Sequence, residues 1–151
     1  MRGLRFALVV SRYNDFVTDR LRDAAIETLV EGGVSREDIS THAVPGAYEI
    51  PQAAAAVATS LRPDALVCLG CVIRGATPHF EYIASAVAHG ITEAALRSGV
   101  PMAFGVLTTN SVEEALERSA PGPANKGREA ALAALEMARL FRGLPPKDAA
   151  E

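Results

Sequence analysis

A chain of 151 residues with 49% hydrophobic side chains suits one domain, residues 1–151, that buries a core of ordinary size. The formal net charge of −3 and the scattered Lys and Arg residues argue against nucleic acid as a partner. No apolar run approaches the roughly 18 residues that a membrane span needs, and residues 1–10 lack the layout of a signal peptide, so a cytoplasmic location without membrane contact is expected.

Strand and helix patterns alternate in the first half of the chain. The apolar residues 4–10 predict a first strand, which is followed by a polar loop. Apolar positions at helical spacing then predict a helix over residues 16–31. Residues 39–44 are predicted to form a second strand, and Pro51 favours the start of an alanine-rich helix that extends to residue 61.

The second half of the chain continues this alternation. Residues 66–73 are rich in branched apolar side chains, as in a strand buried on both faces, and the Gly-Ala-Thr turn at residues 75–77 ends this strand. Pro78 is predicted to lie in the first turn of the next helix, which extends to about residue 98. The remaining predicted elements are a strand over residues 102–107, a helix capped by Ser111, a helix over residues 125–142 and a frayed tail over residues 144–151.

Four alternations of strand and helix with short connections favour a parallel sheet that is covered on both faces. The predicted fold is an α/β three-layer α/β/α sandwich of the flavodoxin type, with a four-stranded parallel sheet. Ligands bind outside the carboxyl ends of the strands in such sheets. Tyr13 follows the first strand, residues 47–49 follow the second and residues 75–79 follow the third, so we expect them to meet in one crevice. Phe104 lies inside the fourth strand, which suggests that it serves a neighbouring subunit.

The third junction between strand and helix has features of anion binding and of acid–base chemistry. Backbone N–H groups of Gly75, Ala76 and Thr77 are expected to be free at the positive end of a helix, where a phosphate group binds well. His79 lies one turn away, and histidine exchanges protons near neutral pH. A lone histidine is more often structural, so the pattern alone leaves both interpretations open.

Two charged residues likewise have a structural interpretation beside a functional one. Glu49 is predicted at the start of a helix and Arg118 at the end of another. In these positions a carboxylate and a guanidinium each interact favourably with the helix dipole, whether or not they bind a ligand. The residue pattern by itself therefore does not decide whether either side chain contacts a substrate.

Cys68 and Cys71 form a C-x-x-C pair, a pattern that occurs in redox and zinc sites. On a strand, residues three apart are roughly 10 Å from each other and face opposite sides of the sheet, too far for a disulfide bond. The chain has no third cysteine to complete a metal cluster. The favoured interpretation is therefore a pair of buried, apolar thiols.

Three motifs resemble those of the 6,7-dimethyl-8-ribityllumazine synthase family. They are VIRGATPHFEYI at residues 72–83, VPGAYEIP at residues 44–51 and Asn-Lys-Gly at residues 125–127, and the resemblance extends over about residues 4–143. It implies a transferase that condenses 5-amino-6-(D-ribitylamino)uracil with 3,4-dihydroxy-2-butanone 4-phosphate. The products would be 6,7-dimethyl-8-ribityllumazine, phosphate and water, in the penultimate step of riboflavin biosynthesis. No metal and no redox cofactor would be needed.

The same resemblance implies roles for individual residues. Tyr13 would stack on the pyrimidine ring, in place of the commoner Phe, and Glu49 would bind ribityl hydroxyl groups. His79 would shuttle protons, and Arg118 would clamp the substrate phosphate. Further substrate contacts are implied for Ala47, Tyr48, Val72, Ile73, Gly75, Ala76, Thr77, Phe104 and Lys126. The family loop before Lys126 often contains a lysine, but residues 119–123 read Ser-Ala-Pro-Gly-Pro here, so phosphate binding is expected to depend more on Arg118.

The resemblance further implies a homo-oligomer, a ring of five subunits with each active site between neighbours, and an association with riboflavin synthase. Whether such rings pack into larger cages is left open. Two other functions also stay open, namely an electron carrier that binds FMN on the same sheet and a shell protein without activity. The loop at residues 11–15 lacks the Ser and Thr content of an FMN phosphate loop, and the presence of Tyr13, Glu49, His79 and Arg118 argues against an inactive shell.

Overall fold

A computed structural model describes residues 3–146 of the chain. Its strands are β1 (Phe6–Ser11), β2 (Ile39–Val44), β3 (Ala65–Ile73) and β4 (Met102–Thr109). They form a parallel sheet in the order β2-β1-β3-β4, with β1 and β3 in the centre. The pairing of β3 with β1 ends at Leu69, whereas its pairing with β4 continues to Ile73. The last residues of β3 therefore extend past the end of β1.

Helices cover both faces of this sheet. Over residues 3–146 they are α1 (Asp15–Glu31), α2 (Ile50–Leu61), α3 (His79–Ser98), α4 (Val112–Ser119) and α5 (Lys126–Arg142). One core lies between the sheet and α1 and α5, and a second core lies between the sheet and α2 and α3. The predicted three-layer α/β/α sandwich of the flavodoxin type is thereby confirmed. None of these described helices is long and apolar enough to cross a membrane.

Strand β3 shows how the sequence supplies both cores. Val67, Leu69 and Cys71 face the core below α1 and α5, whereas Leu66 and Cys68 face the core below α2 and α3. Both faces are buried, which explains the continuous apolar run in the sequence. The two thiols are free and lie in different cores, as expected. Burial raises the pKa of Cys68 to about 12 and that of Cys71 to about 11, so both are neutral at pH 7.

The start of α5 is fixed by an N-cap and by a close contact with α1. Asn125 Oδ1 accepts hydrogen bonds from the backbone N–H groups of Gly127 at 2.7 Å and Arg128 at 3.1 Å. A Cβ atom at Gly127 would collide with the backbone of Leu21 in α1, so glycine permits the two helices to approach. Two residues of the Asn-Lys-Gly motif therefore have structural roles, while Lys126 lies between them at the first position of α5.

The predicted boundaries agree with the structure except at a few positions. Pro78 is the N-cap residue of α3 and not part of its first turn, because its carbonyl accepts the first hydrogen bond, from the N–H of Glu81 at 3.1 Å. Strand β4 continues two residues further than predicted, to Thr109, since its pairing with β3 continues that far. In the predicted tail, residues 144–146 form no helix or strand, and residues 147–151 lie outside the described residues.

Candidate active site

A crevice of about 500 Å³ lies at the carboxyl ends of β1, β2 and β3. Its walls come from the loops after β1 and β2, from the last residues of β3 and from the start of α3. This is the edge of a parallel sheet where ligands bind in folds of this type. The lining residues are Tyr13, Asn14, Gly46, Ala47, Tyr48, Glu49, Cys71, Val72, Ile73, Gly75, Thr77, His79, Phe80, Ile83 and Val112.

The loop after β1 is fixed to the strands on both sides of it. The N–H of Tyr13 donates to the carbonyl of Pro45 at 3.0 Å, beyond the end of β2. Asn14 has a left-handed backbone with a φ of 66°, which asparagine tolerates better than most residues, and its Nδ2 donates to the carbonyl of Cys71 at 3.0 Å. These bonds hold Tyr13 at the mouth of the crevice, where it is 73% exposed.

The turn after β2 places a carboxylate in the crevice. Residues Ala47–Glu49 form a short 3-10 turn, in which Ala47 is buried and Tyr48 is exposed. Glu49 Oε1 accepts a hydrogen bond from the N–H of Gly46 at 2.9 Å, so this carboxylate has a structural role in holding the turn. Its second oxygen, Oε2, has no hydrogen-bond donor in the part of the chain that the structure describes. Glu49 can therefore stabilise its own turn and accept a ligand hydroxyl at the same time.

The turn between β3 and α3 presents backbone N–H groups and His79. The N–H groups of Gly75, Ala76 and Thr77 have no acceptor among residues 3–146, and the turn is exposed. The N–H of His79 makes a long contact of 3.4 Å with Thr77 Oγ1. His79 is the first residue of α3, with an exposed side chain at the positive end of the helix. This arrangement suits an anion with a proton carrier beside it.

Three of the predicted site residues, Phe104, Arg118 and Lys126, do not line the crevice of their own chain. Phe104 is paired with Cys68 in the sheet, five residues before the end of β4, and this places it about 16 Å from the carboxyl edge. Arg118 lies in the last turn of α4, and Lys126 begins α5. Ala76 belongs to the exposed turn after β3 but is not among the lining residues.

Arg118 and Lys126 form a basic group around one carboxylate. Lys126 Nζ is 2.9 Å from Glu129 Oε1. The hydrogen bond from Lys126 lowers the pKa of Glu129, and the charges of Lys126 and Arg118 lower it further. Arg118 is exposed and makes no side-chain hydrogen bond or ion pair within residues 3–146, so its guanidinium is available to an anion outside this chain.

Comparison with known proteins identifies the family. The family description 6,7-dimethyl-8-ribityllumazine synthase matches residues 3–142. A 6,7-dimethyl-8-ribityllumazine synthase from Syntrophus aciditrophicus (strain SB) is 50% identical over 141 residues, which cover 93% of this chain and 92% of the relative. One from Desulfotalea psychrophila (strain LSv54 / DSM 12343) is 49% identical over 142 residues, covering 94% of this chain and 92% of that relative. The chain belongs to the 6,7-dimethyl-8-ribityllumazine synthase family. It is therefore an enzyme, and a transferase.

Membership of the lumazine synthase family does not favour the electron-carrier or shell alternatives. Several residues that line the crevice were not predicted from the sequence. These are Asn14, Gly46, Cys71, Phe80, Ile83 and Val112. Phe80 and Ile83 follow His79 by one and four residues in α3, so helical spacing was a usable signal for Ile83. Asn14 follows Tyr13 in a tight junction, where its tolerance of positive φ was a second signal.

A second cavity, of about 530 Å³, lies between α1 and the loop before α5. Charged side chains of both signs line it, among them Arg20, Glu27 and Arg128. Its lining contains none of the residues that were predicted to contact a substrate. Within residues 3–146, no group of three or more His, Cys, Asp or Glu side chains is arranged to hold a metal ion.

Proposed function

We propose that this chain condenses 5-amino-6-(D-ribitylamino)uracil with 3,4-dihydroxy-2-butanone 4-phosphate to give 6,7-dimethyl-8-ribityllumazine, phosphate and water, the penultimate step of riboflavin biosynthesis. The observation that supports this most is the crevice itself. In a member of the lumazine synthase family, it gathers an exposed aromatic ring, a carboxylate, a turn of free N–H groups and a histidine. Each of these groups matches one part of the two substrates.

The pyrimidine substrate is proposed to bind between the loops after β1 and β2. Tyr13 offers an exposed ring for stacking, and Glu49 Oε2 is free to accept hydrogen bonds from ribityl hydroxyl groups. Ala47 and Tyr48 line the same wall. The end of β3, with Val72 and Ile73, extends past β1, so its backbone is proposed to contact the heterocycle there.

The phosphate group of the second substrate is proposed to bind at the turn before α3. The free N–H groups of Gly75, Ala76 and Thr77 and the positive end of the helix favour an anion there. A neighbouring subunit would add Arg118, whose guanidinium can bind two phosphate oxygens, and the charge of Lys126. The crevice of one chain has no such cation among its lining residues, which supports a second source of positive charge.

His79 is proposed to shuttle protons during the reaction. An amine of the uracil condenses with the ketone to an imine and releases water, and elimination then expels phosphate and leaves a second carbonyl. The second amine closes the ring on that carbonyl and releases a second water. Each step moves a proton near the leaving oxygen or the attacking nitrogen, and imidazole can donate or accept it near neutral pH. His79 lies beside the proposed phosphate-binding turn, so the acid needed for elimination would be close to the group that leaves.

The proposed site is shared between subunits. Phe104, Arg118 and Lys126 lie away from the crevice of their own chain, yet all three have exposed or half-exposed side chains. A head-to-tail ring presents two different faces of each subunit to its neighbours, so one face can supply the crevice and the other these three residues. We propose a cytoplasmic ring of five identical subunits, each a single domain. An association with riboflavin synthase, which would take up the product, belongs to the same proposal.

The reaction is tested by mixing both substrates with the protein and following the absorbance of the lumazine. The His79→Ala variant should turn over more slowly by about 10²- to 10⁴-fold, since general acid–base help contributes about that much and orientation remains. Absence of product with the unmodified, folded protein would refute the proposed function. Turnover of His79→Ala at the unmodified rate would remove His79 from the proton shuttle.

Shared sites are tested by complementation. A His79→Ala variant and an Arg118→Ala variant are unfolded together and refolded. With random mixing into rings, about a quarter of the interfaces would combine an intact His79 side with an intact Arg118 side. Activity of the mixture should then rise well above that of either parent. If mixed rings form and the activity does not rise, the site belongs to a single chain.

A further inference from the structure

Arg74, the residue between β3 and the proposed phosphate-binding turn, makes three side-chain contacts although its side chain is 43% exposed. Its Nε donates to Asn110 Oδ1 at 2.9 Å, and its Nη1 is 3.4 Å from Glu81 Oε2. The guanidinium carbon lies 4.6 Å from the centre of the Phe80 ring. The backbone N–H of Arg74 donates to the carbonyl of Thr109 at 2.8 Å.

These contacts hold both sides of the turn. Asn110 follows β4, and its own N–H donates to Glu114 Oε1 at 2.7 Å in the first turn of α4, so it is a fixed partner. Phe80 and Glu81 belong to the first turn of α3, and Phe80 lines the crevice. Arg74 thus joins the end of the sheet to the start of α3, with residues 75–78 between the two joined ends.

The turn itself has few contacts that could set its shape. Gly75 and Ala76 make no hydrogen bond through their N–H groups to any described residue, and a Cβ atom at Gly75 would meet nothing within 4 Å. Among the described residues, residues 75–78 take part in two hydrogen bonds, the bond from the N–H of Glu81 to the carbonyl of Pro78 that begins α3 and the long contact between His79 N–H and Thr77 Oγ1. The direction of the free N–H groups therefore depends on how the two flanks are held.

We infer that Arg74 is a positioning residue, which acts through Asn110, Phe80 and Glu81 to fix the turn that binds phosphate and presents His79. This inference rests on the proposed function for its effect on catalysis. A planar guanidinium can bond Asn110 and Glu81 while it stacks on Phe80, whereas the point charge of a lysine cannot make these contacts together. The role is therefore one of geometry, and positive charge alone does not fulfil it.

Three variants and one control test the inference. Arg74→Met keeps an apolar side chain over Phe80 but removes the guanidinium, Arg74→Lys keeps the charge, and Asn110→Ala removes the fixed partner while Arg74 stays in place. The control is Arg22→Met, since Arg22 is similarly exposed (34% against 43%) and pairs with Asp19 and Asp23 on its own helix, α1.

The first measurement is steady-state kinetics for both substrates. Arg74→Met should lower kcat/KM for the phosphate substrate by about 10- to 100-fold, because small misplacements of reacting groups have effects of that order. The KM of the pyrimidine substrate should change by less than about 3-fold, since Tyr13 and Glu49 are untouched. Arg74→Lys should have a kcat/KM for the phosphate substrate as low as that of Arg74→Met. Asn110→Ala should lower this kcat/KM by about 3- to 10-fold, and Arg22→Met should leave it unchanged.

The second measurement does not depend on activity. Backbone ¹⁵N order parameters of Gly75, Ala76 and Thr77 in perdeuterated protein should fall below about 0.6 in Arg74→Met, but should stay near the unmodified value in Arg22→Met. Unchanged order parameters would overturn the inference, as would full activity in Arg74→Lys or in Asn110→Ala. If the unmodified protein makes no lumazine, the proposed function fails, and the order parameters still decide whether Arg74 fixes the turn.

Discussion

Asn125 is a buried side chain that joins the end of one helix to the start of the next. It is 1% exposed. Its Oδ1 caps α5, and its Nδ2 donates to the carbonyls of Ser119 at 2.8 Å and Ala120 at 3.2 Å. The loop it closes connects Arg118 to Lys126, the two cations that we assign to the phosphate of a neighbouring site. Removal of this amide should therefore affect both stability and phosphate binding.

The loss of stability in Asn125→Ala follows from the four hydrogen bonds that the Asn125 side chain makes. Loss of an N-cap destabilises a protein by about 1 kcal/mol. Each buried carbonyl left without a donor adds about 1–3 kcal/mol, and here Ser119 is fully buried while Ala120 is only partly so. The sum is about 2–5 kcal/mol, which corresponds to a Tm lower by about 5–15 °C for a domain of this length.

The assay is thermal and urea unfolding of Asn125→Ala beside Ser111→Ala at equal protein concentration. Ser111 is a matched control because it caps α4 through one bond, from the N–H of Glu114 at 3.1 Å, and supports no carbonyl of another loop in that role. We expect the free energy of unfolding of Ser111→Ala to be lower by about 1 kcal/mol. The KM of the phosphate substrate should rise only in Asn125→Ala. If the two variants lose equal stability, the bonds to Ser119 and Ala120 contribute nothing and the reasoning is wrong.

Three further predictions concern single features. Arg118→Ala should raise the KM of the phosphate substrate far more than that of the pyrimidine; equal changes in steady-state assays would exclude the proposed clamp. Gly127→Ala should destabilise the protein by about 3 kcal/mol or more in urea unfolding, because its Cβ would collide with the backbone of α1, whereas Gly143→Ala, with ordinary contacts of 3.6 Å, should be nearly neutral. Burial raises the pKa of Cys68 and Cys71 above their ordinary 9.0, so the unfolded state loses these protons at lower pH than the folded state does. The free energy of unfolding should therefore fall between about pH 9 and pH 11, by about 1.4 kcal/mol per pH unit for each thiol. The slope should be smaller in a double alanine variant, and an identical slope would contradict this account.

Local patterns were sufficient to predict the fold. The continuous apolar run of β3 follows from burial on both faces, and the helical spacing in α1 follows from one buried stripe, which includes Val17, Leu21 and Leu29. Parallel pairing followed from the alternation of these elements. The carboxyl edge of the sheet is where Tyr13, Glu49 and His79 were predicted to meet, and all three line the crevice there.

Contacts between distant residues were not predictable in the same way. The bond from Asn14 to the carbonyl of Cys71 spans 57 positions, and that from Arg74 to Asn110 spans 36. No periodicity indicates which side chain will reach which carbonyl or amide across the sheet. The N-cap position of Pro78 was missed for a related reason, since it depends on the backbone torsions of the turn and not on residue type alone.

Hydrogen bonds between backbone groups continue beyond the strands and tie the walls of the crevice together. They join Arg12 to Val44 at 2.8 Å, Tyr13 to Pro45 at 3.0 Å and Arg74 to Thr109 at 2.8 Å. The loops that face a substrate are thus preorganised, and little conformational entropy should be lost when the pyrimidine enters. Discrimination by shape in that half of the crevice should therefore rest on the geometry that these loops already have before a ligand binds.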